Sequence, residues 1–236
     1  VVTGNAADPA LADTLATAVA SDLDQENTNI AQTQQALDSV TDCRLREAQR
    51  VQAAARAGEM QRREAERRLA ALREQAERDL AMSQAVQQRM QARAAEIETG
   101  VDVVAPGARS EPPPRPAPVA ARPSQAVALQ AAPLPSAAPV AQVQARQPVQ
   151  ILPTRNQDFV AVQTPYGQPL GYAPAAVFSI PAATTRATAI PAVAGTAQSA
   201  QVRRLVGTNI TRRDAFSEAV SDLQRAVGSG GFGLGT

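Results

Sequence analysis

The sequence predicts an α plus β protein: a long helix or helical hairpin, a Pro-rich linker, a five-stranded barrel and a C-terminal amphipathic helix. Helix-forming residues dominate roughly the first hundred positions, apolar alternation with a period of two follows, and one more amphipathic stretch lies near the end. With 18 Pro, 13 Gly, no Trp and only four Phe in 236 residues, little bulk is available for one large core. We therefore expect the all-β module to be small.

Composition also limits the chemistry. The chain has no His, which is the commonest general base and metal ligand, and one Cys cannot form an internal disulfide. Cys43 lies between Asp42 and Arg44 on a predicted helix, and we expect it to be an incidental thiol. Phosphate-binding loops, dinucleotide fingerprints and serine-nucleophile elbows are absent from the sequence. We therefore expect no catalysis, no metal and no cofactor.

The charge is unevenly distributed, although its sum is only +1. Residues 1–40 carry six acids and no base, and all 23 basic residues of the chain are Arg. Arginine pairs such as Arg62–Arg63 are interleaved with acids and have no aromatic neighbour, so we expect no nucleic-acid binding. No stretch approaches the ~20 apolar residues of a membrane span. Because the sequence starts at Val1 rather than Met, we expect a removed signal peptide and a periplasmic or secreted protein.

Residues 8–100 form the predicted helical region. Asp8 is placed to cap a helix whose first residue is Pro9, and Gly100 is placed to end it. The polar run at 24–29 or Gly58 can break this region, so one rod and a folded-back bundle both remain open. The apolar stripe of the first part consists of Leu11, Leu15, Val19, Leu23, Ile30, Leu37 and Val40. A stripe this thin indicates a coiled coil or a partner helix.

Residues 101–124 are predicted to be a linker. The stretch at 105–124, "APGARSEPPPRPAPVAARPS", has closely spaced prolines that favour polyproline II. We interpret it as a semi-rigid spacer in preference to a ligand for an SH3 or WW domain.

Residues 125–180 are predicted to be the all-β module. Short apolar runs alternate there with Pro, Ser, Asn and Gly, and their close spacing leaves no room for crossover helices. This pattern predicts a small antiparallel barrel. Its five strands are expected at 126–130, 140–144, 148–152, 159–164 and 169–174.

The same segment resembles the bacterial SH3-like (SH3b) family. The resemblance lies in the order of a first strand, a Pro/Ser loop, "VAQVQ", "PVQIL" and the aromatic-led "FVAVQT", closed by Gly171–Tyr172 and "APAAVF". It implies an SH3-like barrel that binds peptide or cell wall. Phe159, Tyr172 and Phe178 are expected to fill or rim the barrel, and Tyr166–Gly167 to form a turn. If a binding groove exists, its candidate residues are Phe159, Tyr166 and Tyr172.

A second linker is expected at 181–208, followed by an amphipathic helix at 209–228 and a Gly-rich tail at 229–236. Thr211 and Asp214 are expected to cap the helix, and Gly228 to end it. A helix of this length is only marginally stable alone in water, so we expect its apolar face to dock on a partner. This predicted assembly face consists of Phe216, Val220, Leu223 and Val227.

These features favour a non-catalytic structural protein of a bacterial envelope, part of a secretion, conjugation or pilus apparatus. Its helices are expected to contact other protein subunits or copies of the chain, and its barrel to bind peptide or peptidoglycan. A phage or gene-transfer particle component and a free-standing peptidoglycan-binding adaptor are the alternatives.

Overall fold

The computed structural model of the chain describes residues 9–110, 116–178, 197–228 and 231–234. These residues form three long helices and one sheet, which confirms the predicted α plus β class. The helices are α1 (Pro9–Arg56), α2 (Arg62–Val104) and α3 (Ala197–Gly228). The described residues divide into two compact units, and each of the three helices contributes to both.

The long helical region is interrupted at one of the two predicted positions. Gly58 lies between α1 and α2 with a φ of +73°, a left-handed conformation that glycine adopts readily. The polar run at 24–29 stays helical. Helix α1 begins at Pro9 as predicted, whereas Asp8 lies outside the described residues.

The first unit contains residues 9–35, 83–110 and 197–218 of the described chain. Its helical stretches bury one apolar cluster, which explains why the thin stripe of α1 needs neighbours. Asn209 also donates a hydrogen bond to Asn27 Oδ1, which fixes α3 beside α1 in this unit. The buried members of the cluster are Val19, Ala20, Leu23, Ile97, Val101, Ala105, Ala108, Val202 and Val206.

The prediction that Gly100 ends its helix is wrong, because α2 continues to Val104. Gly100 instead permits close packing: a Cβ added there would lie 2.9 Å from Cγ2 of Val19. The predicted linker at 101–124 is therefore partly ordered structure. It starts with the last turn of α2, continues in a 3-10 turn at Ala108–Ser110, and later contains a strand.

The second unit contains a six-stranded antiparallel sheet and not a five-stranded barrel. All five predicted strands are present, and the sixth, β1, pairs with β4 from within the predicted linker. Strand β1 was not predicted, because a run of three residues among prolines is too short to show an alternation of apolar and polar residues. The sheet is open, with the order β1-β4-β5-β6-β2-β3. Its strands are β1 (Val119–Ala121), β2 (Val127–Gln130), β3 (Pro139–Val143), β4 (Val149–Pro153), β5 (Phe159–Gln163) and β6 (Pro169–Pro174).

One face of this sheet covers an apolar cluster. Its members alternate along each strand, as the two-residue period of a strand requires. Phe178 joins the cluster from beyond β6, where it forms an isolated bridge with Pro123. The buried residues are Ala121, Leu129, Val143, Val149, Ile151, Val160, Val162, Ala173 and Phe178.

Helix α3 begins at Ala197, well before the predicted start at 209. Thr211 and Asp214 therefore lie inside the helix and cannot cap it, and the Thr211 hydroxyl donates to the carbonyl oxygen of Gly207 at 3.0 Å. The early start is explained by Val202 and Val206, which complete the core of the first unit. Gly228 is the last helical residue, as predicted. The rest of the second predicted linker, at 181–196, lies outside the described residues.

Candidate functional site

The aromatic residues differ sharply in exposure. All four Phe side chains are buried and Tyr172 is half-buried, whereas Tyr166 is 95% exposed. Exposing a whole tyrosine ring forgoes the burial that aromatic residues normally provide. Tyr166 is therefore the aromatic residue of the described chain that is most available to a partner.

Tyr166 lies on a tight turn between β5 and β6, which we call the Tyr166 turn (Thr164–Gln168). The Gly167 N–H donates to the Thr164 carbonyl at 2.9 Å, and the Thr164 N–H donates to the Gln168 carbonyl at 2.8 Å. Pro165 suits the second position of such a turn, and Gly167 has a φ of +83°. These features hold the backbone on both sides of the exposed ring.

A pair of glutamines, Gln150 on β4 and Gln163 on β5, connects the Tyr166 turn to the neighbouring strand β4. Gln163 Nε2 donates to Gln150 Oε1 at 2.8 Å, and Gln150 Nε2 donates to the Pro165 carbonyl at 3.2 Å. Gln150 and Gln163 lie directly opposite each other in the register of β4 and β5. The turn is therefore tied to β4 as well as to its own hairpin.

The strands that lead to and support the Tyr166 turn contain no charged residues. No Asp, Glu, Arg or Lys occurs at 147–154 or at 159–185, so β4, β5 and β6 are all uncharged. Pro165, Tyr166 and Gln168 are exposed together on the turn. A ligand would meet an aromatic ring, prolines and amide groups there, and no ionic partner on these strands.

The structure does not bring the three predicted binding residues into one groove. Phe159 and Tyr172 lie on the same face of β5 and β6, where Tyr172 is opposite Ala161. That face is opposite to the one formed by Val160 and Val162, so Phe159 and Tyr172 do not join Phe178 in the apolar cluster. Phe159 is buried, and Tyr166 lies at the far end of β5, beyond Gln163. Tyr166 is thus the most exposed member of the predicted set.

The predicted assembly face is covered within the single chain. Phe216, Val220 and Leu223 are buried, and Val227 is half-buried. The chain itself thus covers most of this face, and contact of the face with other subunits stays a prediction.

An ion-pair network that the sequence does not signal connects distant parts of the second unit. Arg155, in the turn between β4 and β5, has a side chain only 1% exposed and lies between the carboxylates of Asp38 on α1 and Asp222 on α3. Its Nη2 donates to Asp38 Oδ1 at 3.3 Å and to Asp222 Oδ2. Burial works against the positive charge, but the two carboxylates outweigh burial and raise the pKa of Arg155.

The Arg155 network also includes Arg225 of α3. Asp222, which is 2% exposed, also accepts a hydrogen bond from Arg225, and Arg225 donates to the Ala131 carbonyl at 3.2 Å. Both acids are therefore engaged with guanidinium groups. The arrangement fastens the β4–β5 turn to two helices, and its local signal in sequence is only a polar turn, "TRNQD".

One groove in the described part of the first unit lies near charged side chains. Ile97, Val101 and Val206 contribute to its apolar floor. Arg109 and Arg213 lie at its edge, and both approach Glu98, at 2.8 Å and 3.7 Å. Arg109 also pairs with Asp102. Because the two carboxylates together balance the two guanidinium groups, the groove offers little attraction to an anion.

Within the described ranges, His, Cys, Asp and Glu form no group of three that could hold a metal ion. Cys43 is exposed on α1. None of the described helices combines the length and apolarity that crossing a membrane requires. No protein-family model, curated protein or solved structure matches the chain.

Proposed function

We propose that the chain is a non-catalytic interaction protein of a bacterial cell envelope, a subunit of a multi-protein assembly whose SH3-like sheet unit binds peptide or cell wall. The observation that carries this proposal is the almost complete exposure of Tyr166 on a turn held by hydrogen bonds. The resemblance of residues 125–180 to SH3-like domains supports the ligand class. The arginine-only basic composition supports a bacterial origin.

The geometry favours an uncharged ligand surface. An exposed aromatic ring can stack on the apolar face of a sugar or on a proline, and glutamine amides both donate and accept hydrogen bonds. Gln168 lies beside Tyr166 on the turn, and Gln150 and Gln163 lie below it. Because β4 to β6 lack charge, we expect binding to depend only weakly on salt.

Sedimentation of the purified chain with peptidoglycan sacculi tests this function. We expect the wild-type chain to sediment with sacculi and Tyr166→Ser to bind at least about tenfold more weakly, because truncating an anchor aromatic typically costs about 2 kcal/mol or more. Tyr166→Phe should retain most of the binding if ring stacking dominates. Competition with muramidase-released glycan fragments or with free stem peptides identifies which part of the wall is recognised.

Val140→Ser is the matched control, because Val140 is also an exposed apolar residue of the sheet but lies on the edge strand β3. It should bind sacculi like the wild type. Equal binding by Tyr166→Ser and the wild-type chain would rule out the Tyr166 turn as the site. If the wild-type chain binds neither sacculi nor the glycan fragments nor the stem peptides, wall binding is excluded and a protein partner has to be sought.

A further inference from the structure

The segment Gly231–Leu234, which we call the tail anchor, is seated on the chain's own second unit. Its Phe232 is only 5% exposed, although the sequence around it is mostly glycine. The side-chain amide of Gln52 on α1 donates to the carbonyl oxygens of Gly231 and Gly233, at 3.3 Å and 2.7 Å. One glutamine thus holds the backbone on both sides of a buried ring.

The tail anchor lies against Leu45, Gln52 and the end of α3, a site that we call the tail slot. This slot has room only for a small residue directly before Phe232. A Cβ added to Gly231 would lie 2.9 Å from the Ala226 carbonyl oxygen of α3 and 3.6 Å from Cδ2 of Leu45 on α1. The slot is therefore bordered by Leu45, Gln52 and the end of α3. Its chemistry matches a peptide in which glycine precedes a phenylalanine and backbone carbonyls are free to accept.

We propose that the tail anchor is an exchangeable ligand of the tail slot, so that the anchor of one copy can occupy the slot of a second copy. The described contacts of the tail anchor include two hydrogen bonds from the Gln52 side chain and the burial of the Phe232 ring, interactions that form and break reversibly. The sequence from Gly228 to Gly231 is Gly-Ser-Gly-Gly, with no large side chain to add affinity. A second copy offers the same ligand and the same slot, which is the condition for exchange between identical chains.

Exchange has to compete with the anchor of the same chain. A short connection gives the intramolecular anchor an effective concentration on the order of millimolar, so a second copy wins only when its local concentration is comparable. Such concentrations arise when copies are held side by side. This inference does not depend on wall binding, since it concerns a different surface of the second unit.

A labelled peptide with the sequence of residues 227–236, VGSGGFGLGT, tests the slot directly. The full chain carrying Phe232→Ala has an empty slot and should bind the peptide saturably in a fluorescence anisotropy titration. The wild-type chain should bind at least about tenfold more weakly, because its own anchor competes. In the Phe232→Ala chain, peptide binding should perturb the side-chain NH₂ signals of Gln52 in an NMR spectrum.

Two controls make the result specific. A peptide with Ala in place of Phe should not bind, and the double variant Gln52→Ala/Phe232→Ala should bind the original peptide several-fold more weakly. Light scattering checks the exchange between whole chains: the apparent mass of the wild type should rise above 24.6 kDa with concentration, whereas Phe232→Ala should stay near it. Equal peptide affinity for the wild type and Phe232→Ala, no peptide binding at millimolar concentration, or identical mass curves would each overturn the proposal.

Discussion

At the scale of single residues, Arg155 shows how a charge can be kept inside a small protein. Removing a guanidinium from water is costly unless carboxylates and hydrogen bonds replace the lost hydration. Asp38 and Asp222 provide this replacement from positions 117 and 67 residues away in sequence. Because these partners are distant along the chain, the local sequence "TRNQD" cannot be used to predict them.

Replacing Arg155 with Met should destabilise the protein strongly, since it leaves the buried carboxylate of Asp222 without this guanidinium. The cost of breaking a buried ion pair is typically about 3–5 kcal/mol, measured here as a lower urea midpoint at an unchanged slope. Arg50→Met is the control, because Arg50 pairs with Glu47 in the open. It should cost less than about 1 kcal/mol. Similar midpoints for the two variants would mean that the Arg155 network does not fasten the second unit.

Also at this scale, the sequence indicated where the aromatic residues gather but not which face each one occupies. Phe159 and Tyr172 were expected in the same interior as Phe178, yet strand register places them on the opposite face of the sheet. A run such as "FVAVQ" has apolar residues at both parities, so the period of two cannot assign its faces. The turn at Tyr166 was easier to predict, because Pro and Gly on its two sides mark a turn.

At the scale of elements, two glycines inside helices should respond to alanine in opposite ways. Alanine favours a helix by about 1 kcal/mol over glycine. Gly207 of α3 has open space where a Cβ would be, so Gly207→Ala should raise the free energy of unfolding by roughly that amount. At Gly100 of α2 the new Cβ would meet Val19 at 2.9 Å, so Gly100→Ala should instead lower the stability.

Urea unfolding of both variants and of the double variant Gly100→Ala/Val19→Ala checks this explanation. Removing the Val19 methyl groups makes room for the new Cβ, so adding Gly100→Ala to the Val19→Ala background should no longer be destabilising. A stabilising effect of Gly100→Ala in the wild-type background would show that close packing is not the reason for this glycine.

The prediction of helices and strands was correct where the apolar period continued over several residues. It was wrong where that period was short or interrupted. The five strands from β2 to β6 were predicted from alternation, and Gly58 was one of two positions at which a break of the helical region was considered. Strand β1 was missed because three residues cannot show a period, and its partner β4 lies about thirty residues away. The start of α3 was placed too late because Thr211 and Asp214 mimic a cap, whereas packing of Val202 and Val206 extends the helix.

At the scale of the whole molecule, each unit is assembled from parts that are far apart in the chain. The first unit takes residues from α1, α2 and α3, and the second adds the sheet to the remaining parts of the same helices. Helix periodicity alone cannot reveal this division, because each of the three helices continues across the boundary between the units. Long helices with thin stripes were expected to need other subunits, yet α3 supplies buried residues to both units of one chain.

Removing α3 should therefore damage both units at once. A chain ending at residue 196 loses Val202 and Val206 from the first core, and Asp222 and Leu223 from the second unit. Each buried apolar side chain contributes about 2 kcal/mol, which is a large share of a typical domain stability. For this truncated chain we expect a narrow range of amide proton chemical shifts in an NMR spectrum. We also expect rapid proteolysis within α1 and the sheet.

A chain ending at residue 228 is the control, because it keeps the whole of α3 and loses only residues 229–236, which include the tail anchor. It should retain native dispersion and protease resistance. If the chain ending at 196 keeps protected amides in β4 and β5, the sheet is stable without α3 and the Arg155 network is dispensable for it. If protection instead disappears together in the helices and the sheet, α3 is the element on which both units depend for their stability.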